Sequence, residues 1–159
     1  MSKAVATAVT IVAALLFLSA CQHQPVMRHA TFVHLPASGW QQSLPVAFSP
    51  QYDDSTRHYG IALAVRHSNG YAFSNLSLVV DVIAADSTVN RSRVEMTLAD
   101  DYGNWKGGGF GSLYQSIVPV VSGVAPTQAR SVVVWQAMEG CDTLAGVTDL
   151  GIIITPNGE

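Results

Sequence analysis

The sequence predicts an all-β protein, an antiparallel β-sandwich of jelly-roll type with about eight strands. From residue 30 onward, apolar residues recur at every second position, which is the pattern of strands that bury one face. Residues 76–83 show it most clearly, with Leu or Val at every even position. Two β-branched runs, 132–134 and 152–154, suit a buried pleated surface. These runs, with turn residues between them, favour a sandwich over a helical fold.

The strand candidates are separated by turn-forming residues. Clusters of Gly, Asn, Asp, Ser and Pro mark turns at 68–70, 100–111 and 156–158. A single helical turn is expected around residues 137–144, and no other stretch after residue 22 predicts a helix. In chain order, the predicted strands are 31–35, 45–48, 61–66, 76–83, 93–98, 115–121, 131–136 and 150–155.

The first 20 residues have the charge pattern of a secretion signal. Lys3 gives a positive start, and residues 4–20 carry no charge around an apolar centre at 11–18. This stretch is marginal as a transmembrane anchor, which needs about 20 apolar residues. Its end, Leu18-Ser19-Ala20-Cys21, resembles the bacterial lipobox, in which the cysteine receives a diacylglycerol and becomes the N-terminus. The alternative is an ordinary signal peptide, with Cys21 incidental.

The lipobox divides the chain into three parts. We expect a lipoprotein signal peptide at 1–20, a lipidated tether at 21–30 and one β-sandwich domain at 31–159. Lipid on Cys21 would hold the mature chain on a membrane, because each buried methylene contributes about 0.8 kcal/mol.

Composition and charge exclude several classes of partner. Without Lys3, the mature chain has seven basic and 11 acidic residues, a net charge of −4. It therefore offers no basic surface for nucleic acid. The histidines and cysteines show no metal-ligand spacing, and no cofactor is predicted. With Cys21 lipidated, Cys141 has no partner for a disulfide, and we expect a small buried residue there rather than a reactive thiol.

The densest unusual stretch is the glycine-rich segment 100–111. A Walker-type phosphate loop needs Lys and then Ser or Thr after its last glycine, whereas Lys106 precedes the glycines. We favour a connecting loop whose glycines supply positive φ, with Trp105 and Phe110 packed back on the core. The carboxylate pairs at 53–54 and 100–101 would suit calcium, although such pairs are more often solvated turn residues.

Four aromatic residues form the predicted binding surface: Trp40, Tyr71, Trp105 and Tyr114. Exposed rings of this kind would stack on sugars, as in β-sandwich binding modules, although tryptophans at strand ends are usually part of the core. A hydrolase would require two carboxylates to converge, such as Asp101 and Asp149, and the chain has no Gly-x-Ser-x-Gly motif. No catalytic residue is therefore predicted.

Three tripeptides resemble an acceptor for O-glycosylation of exported bacterial proteins, in which Asp precedes Ser or Thr. They lie at 54–56, 86–88 and 142–144, with Ser55, Ser87 and Thr143 as acceptors. Three matches fit an exported chain.

Four blocks, taken in order, resemble the gliding motility lipoprotein GldH family of Bacteroidota. The blocks are 39–40 (GW) with 45–48 (PVAF), 71–76 (YAFSNL), 101–107 (DYGNWKG) with 111–114 (GSLY), and 136–138 (QAM) with 144–152 (LAGVTDLGI). With the lipobox, they span nearly the whole mature chain. The chain departs from the family at 120–130, where the family tends to begin a strand with glycine and an aromatic residue.

The resemblance implies a lipoprotein associated with the gliding machinery and, by extension, with the envelope apparatus linked to type IX secretion. It supplies no catalytic residue. In its blocks, we expect Gly103 and Gly107 to shape a loop, with Trp105 and Tyr71 packed at the base. Surface lipoproteins of this phylum usually carry acidic residues after the cysteine, and residues 22–28 contain none. We therefore expect the periplasmic face of the outer membrane.

These expectations combine into one function. The chain is expected to be a non-enzymatic lipoprotein that contacts another envelope protein. The alternative is a glycan-binding β-sandwich lipoprotein.

Overall fold

A computed structural model describes residues 29–157, and strands make up nearly all of its regular structure. In chain order, the elements are β1 His29–His34, β2 Trp40–Gln41, β3 Val46–Phe48, β4 Tyr59–Ser68, β5 Asn75–Ile83, β6 Val89–Thr97, β7 Gly108–Phe110, β8 Leu113–Val124, a 3-10 turn at Pro126–Gln128, β9 Ser131–Gln136, β10 Thr143–Leu144 and β11 Val147–Pro156. All eight predicted strands are present, and the all-β prediction is confirmed. The sequence missed β2, β7 and β10, which are too short for an alternating pattern to appear.

The strands form two larger antiparallel sheets and one small pair. The five-stranded sheet has the order β1-β11-β4-β8-β7, and the four-stranded sheet has the order β3-β9-β5-β6. β2 and β10 pair with each other. Most neighbours in each sheet are far apart in the chain, as in sandwiches whose connections cross between sheets.

The core lies between the two larger sheets and follows the predicted alternation. The even-numbered residues of β5 from Leu76 to Val82 are all buried. They pack in one cluster with buried residues of the other sheet: Ile61, Leu63, Val65, Leu150, Ile152 and Ile154. Burial of each such side chain contributes about 1.5–3 kcal/mol, so this interior supplies most of the driving force for folding.

The first strand begins earlier than the sequence predicted. His29 pairs with Ile154 and Ala30 with Ile153, so the last two residues of the predicted 21–30 tether belong to β1. The signal peptide, Cys21 and the rest of the tether lie outside the described residues.

The predicted helical turn at 137–144 is wrong. The side chain of Gln136, at the end of β9, is buried and needs hydrogen-bond partners. Its amide nitrogen donates to the carbonyl of Cys141 (2.7 Å), and its oxygen accepts from the backbone N–H of Met138 (2.9 Å). These two bonds hold the chain in an irregular loop that leads into β10.

Charged pairs cover the outer face of the four-stranded sheet. Arg91 makes a two-pronged ion pair with Asp81, with N···O distances of 2.6 and 2.7 Å, and the Asp81 side chain is only 8% exposed. Arg93 donates to Glu95 at 2.7 Å, where both side chains are about half exposed. The first pair therefore neutralises a buried carboxylate, whereas the second lies in solvent.

Candidate functional site

An aromatic cluster of His67, Tyr71, Trp105 and Tyr114 lies at one end of the five-stranded sheet. The His67 ring is fully buried at its centre. The ring centroid of His67 lies 4.6 Å from that of Trp105, 5.5 Å from Tyr71 and 5.6 Å from Tyr114, with the Tyr114 ring stacked at 20°. Aromatic pairs in this distance range stabilise a packed arrangement beyond simple burial.

The cluster joins segments that are far apart in the sequence. His67 and Tyr114 come from the neighbouring strands β4 and β8, where they are direct partners. Tyr71 ends the turn after β4, and its hydroxyl donates to the carbonyl of Asn75 at 2.8 Å. The backbone of Gly146 packs against Tyr71, so close that an added Cβ would lie 2.6 Å from the Tyr71 Cα. Three of the four blocks that carry the family resemblance therefore meet here.

His67 is held neutral within the cluster. Burial lowers the pKa of His67 below its ordinary value, because the charged imidazolium would lose its hydration. Nδ1 lies 3.2 Å from the carbonyl of Ser68. Since a carbonyl only accepts, Nδ1 carries the proton, and Nε2 has no hydrogen-bond partner among the described residues. His67 thus acts here as a packing residue with one unbonded acceptor.

Residues 100–112, the projecting segment, extend from this cluster. Asp100 holds its base: Oδ1 accepts from the backbone N–H groups of Tyr102 (2.9 Å) and Asn104 (2.8 Å), and Oδ2 accepts from the Asn104 side chain (2.9 Å). These bonds, chiefly those from Asn104, hold the pKa of Asp100 below its ordinary value. Gly103 and Gly107 have φ of +82° and +87°, as expected for the residues that shape this loop.

The projecting segment presents two nearly fully exposed aromatic side chains. Tyr102 and Phe110 are each 92% exposed, whereas Leu44, the next large apolar side chain among the described residues, is 57% exposed. The expectation that Phe110 packs on the core is therefore wrong. Phe110 lies in β7 opposite Leu113, on the outer face at the edge of the sheet, where no element of residues 29–157 covers it. Trp105 does pack at the base, with its ring 6.4 Å from that of Tyr71.

The structure divides the four residues of the predicted binding surface. Trp40 is buried in the small β2–β10 pair, and its Nε1 donates to the carbonyl of Leu44 at 2.8 Å. Tyr71 is buried as well, so neither side chain presents a ring to a partner. Trp105 and Tyr114 are half-buried, and their binding role stays a prediction. The glycan-binding alternative loses two of its candidate rings. No pattern in the sequence indicated Tyr102, whose exposure depends on the shape of the loop.

The remaining candidates are the acidic residues considered as calcium ligands or as a catalytic pair. The carboxylate of Asp54 bonds the backbone N–H and hydroxyl of Thr56, so it stabilises a turn as Asp100 does. Across residues 29–157, no group of three or more His, Cys, Asp or Glu residues is arranged to hold a metal ion. Asp149 lines a pocket on the outer face of the five-stranded sheet that Asp101 does not line. The required convergence of these two carboxylates is not seen there.

The proposed modification sites are accessible. Ser55, Ser87 and Thr143 are all exposed, and their glycosylation stays a prediction.

Cys141 is half-buried and packs against the core. Within the described part of the chain, no helix is long and apolar enough to cross a membrane.

The fold and the site together define an antiparallel β-sandwich with an aromatic-braced projecting segment. The chain belongs to the GldH lipoprotein family, whose model matches residues 28–154. It is 27% identical over 148 residues to the gliding motility lipoprotein GldH homolog of Christiangramia forsetii, covering 88% of this chain and 89% of the relative. It is 28% identical over 123 residues to the gliding motility lipoprotein GldH of Flavobacterium johnsoniae, covering 74% of this chain and 77% of the relative. The resemblance to this family is confirmed.

Among solved structures, the coat protein of Tobacco streak virus is similar over 87% of this chain and 93% of its own. The TM-score is 0.37 and the identity is 8%, values too low to bear on function.

Proposed function

We propose that this chain is a lipid-anchored, non-enzymatic component of the gliding motility machinery and of the envelope apparatus linked to type IX secretion. It acts through contacts with another envelope protein. Membership of a lipoprotein family implies attachment to a membrane, and the lipobox at residues 18–21 supplies Cys21 as the attachment point. The absence of acidic residues at 22–28 favours the periplasmic face of the outer membrane.

The observation that carries the proposal is the exposure of Tyr102 and Phe110. Exposed aromatic side chains held on a braced segment are typical of the residues that dominate protein interfaces. The aromatic cluster fixes the base of the segment, and Asp100 fixes its first turn, so few degrees of freedom need to be lost on binding.

The anchor is tested by replacing the lipidated cysteine. We expect Cys21→Ser to release the chain from the membrane or to stall it with its signal peptide attached. The measurement is fractionation of the envelope followed by mass determination of the chain. Normal retention of a processed Cys21→Ser chain in the membrane would contradict the anchor.

The contact surface is tested by affinity capture from detergent-solubilised membranes. We expect a specific envelope protein to be recovered with the wild-type chain and lost with a Tyr102→Ser/Phe110→Ser double variant. Substitutions at such exposed positions should change the free energy of unfolding by less than about 0.5 kcal/mol. Leu44→Ser, which also removes an exposed apolar side chain, is the matched control. Equal recovery with the double variant, or no specific protein at all, would count against the proposal.

A further inference from the structure

We propose that the pocket over Arg66 is a docking site for a segment of the partner protein that carries a carboxylate next to an apolar or aromatic side chain. The pocket has a volume of about 430 Å³ and lies on the outer face of the five-stranded sheet. This inference rests on the proposed function and names the chemistry of the contact.

Arg66 forms the floor of the pocket in a fixed orientation. Its Nε donates to the Oε1 of Gln115 on β8 at 2.9 Å. Its guanidinium carbon lies 3.9 Å from the centre of the Phe32 ring, which itself lies across Gly151. An arginine bonded on one side and stacked on the other has lost most of its rotamer freedom, so a bound anion would not have to order it.

The charge of Arg66 is unpaired within the described part of the chain. Three other described arginines form ion pairs: Arg57, Arg91 and Arg93. No carboxylate among residues 29–157 lies within 4.0 Å of the Arg66 nitrogens. The nearest acidic residue in register is Asp149, directly opposite on β11. Asp149 lines the same pocket but forms no ion pair with Arg66; its Oδ1 lies 3.1 Å from Nδ1 of His34, and its Oδ2 accepts from the Thr148 hydroxyl.

Among residues 29–157, Nε is the one Arg66 guanidinium nitrogen that has a hydrogen-bond partner, so the two terminal nitrogens are available. They present parallel donors, the arrangement that binds a carboxylate through two bonds.

The pocket is apolar on the side formed by β7 and β8, whereas Asp149 of β11 lines its opposite side. Phe110 and Leu113 face each other across the β7–β8 hairpin and stand on the same face as Arg66. Gly108 lies opposite Gln115, and a Cβ added there would meet nothing within 4 Å, so this wall is bare backbone. A carboxylate on Arg66 thus places its own chain against Phe110 and Leu113. An acidic residue beside an apolar or aromatic one would pair with the charge of Arg66 and pack against these two apolar side chains.

The proposal is tested by NMR titration of the full mature chain, lipid anchor included, in detergent micelles. The probes are hydrocinnamate, which joins an aromatic ring to a carboxylate, and its neutral amide. We expect hydrocinnamate to shift the backbone amide signals of Gly108, Gly109 and Gln115, with an affinity on the order of millimolar for so small a probe. The neutral amide should bind at least about tenfold more weakly, because a charged hydrogen-bond pair is lost. Equal binding of the two probes would overturn the proposal.

Three variants test whether binding of hydrocinnamate depends on the pocket itself. Arg66→Gln should abolish the preference for the carboxylate, whereas Arg130→Gln, the same charge change on an exposed arginine outside the pocket, should keep it. Gly108→Val fills the pocket from an unstrained position, and it should block hydrocinnamate while Arg66 remains. If Arg66→Gln fails to fold, the proposal is tested by the Gly108→Val chain and by the neutral amide. Full binding by a folded Arg66→Gln or Gly108→Val chain would refute the site.

A photo-cross-linking experiment in intact cells distinguishes failure of the pocket from failure of the proposed function. A photoreactive benzoylphenylalanine replaces Phe110 in three backgrounds: wild type, Arg66→Gln and Arg130→Gln. Capture of one envelope protein in the first and third backgrounds only, together with the carboxylate preference, supports the pocket. Equal capture in all three overturns the pocket and leaves the proposed function standing. No capture in any background contradicts the proposed function and this inference with it.

A membrane surface is the competing occupant. Arg66-dependent binding to vesicles of phosphatidylethanolamine and phosphatidylglycerol, without a preference between hydrocinnamate and its amide, would overturn the docking of a polypeptide.

Discussion

Replacement of Gly146 by alanine tests whether the close approach of two chain segments holds the aromatic cluster together. Gly146 has a φ of +89°, and an added Cβ would lie 2.6 Å from the Cα and 2.8 Å from the backbone nitrogen of Tyr71. Both contacts are with backbone, so no side-chain rotation relieves them. Gly146→Ala must therefore displace the segment that carries Tyr71.

The magnitude follows from two separate costs. An alanine at positive φ costs roughly 1–2 kcal/mol relative to glycine. Overpacking in a closely packed region adds about 1–3 kcal/mol. Gly140 supplies the matched control, because it has a φ of +67° and open space where its Cβ would be. We expect the free energy of unfolding to fall by the first amount in Gly140→Ala. In Gly146→Ala it should fall by both, about 2–5 kcal/mol.

The assay is urea-induced unfolding of the purified mature protein, followed by tryptophan fluorescence. With a slope of about 1.5–2 kcal/mol per molar urea, the Gly146→Ala midpoint should fall roughly 0.5–2 M below that of Gly140→Ala. The emission of folded Gly146→Ala should also change, because Trp105 packs against Tyr71. Equal midpoints for the two variants, with unchanged emission, would refute the argument.

Two further predictions concern charge. Because burial lowers the pKa of His67, the unfolded chain takes up its proton first, and the free energy of unfolding should fall as the pH drops below about 6.5, by at most about 1.4 kcal/mol per pH unit. Denaturation at pH 7.5 and 5.5 should show a smaller loss in His67→Gln than in His58→Gln, an exposed control; identical losses would contradict this. Arg91→Ala should lower the thermal midpoint more than Arg93→Ala, because it strands the buried Asp81 carboxylate. A calorimetric scan showing the opposite order would rule it out.

Local pattern in the sequence predicted the strands well. β9 lies at its predicted residues, and the other long strands differ mainly at their ends. The predicted helical turn at 137–144 is wrong, because the buried side chain of Gln136 bonds backbone groups of this segment and holds it in a loop. Nothing in the alternation of β9 indicates which of its polar side chains will lie in the core.

The candidate site was only partly predictable. The family blocks predicted that Tyr71 and Trp105 pack at the base of the projecting segment and that its glycines shape the loop, and the structure agrees. They did not indicate that His67 lies between them, since a lone histidine in a strand has no pattern of its own. Arg66 was likewise missed, because its stacking on Phe32 crosses β11 and its bond to Gln115 crosses to β8.

From the sequence alone it follows that this chain is built of strands, which side of a clearly alternating strand such as β5 is buried, and which family the chain resembles. These properties depend on neighbours in the chain, where alternation and turn residues act directly. The tertiary structure was needed to show that Phe110 is exposed, that Tyr71 and Trp40 are buried, and that Arg66 forms no ion pair among the described residues. Those outcomes depend on which strands are paired and which lie at an edge. Strand pairing joins residues that are far apart in the chain, such as His29 of β1 and Ile154 of β11, which are 125 positions apart.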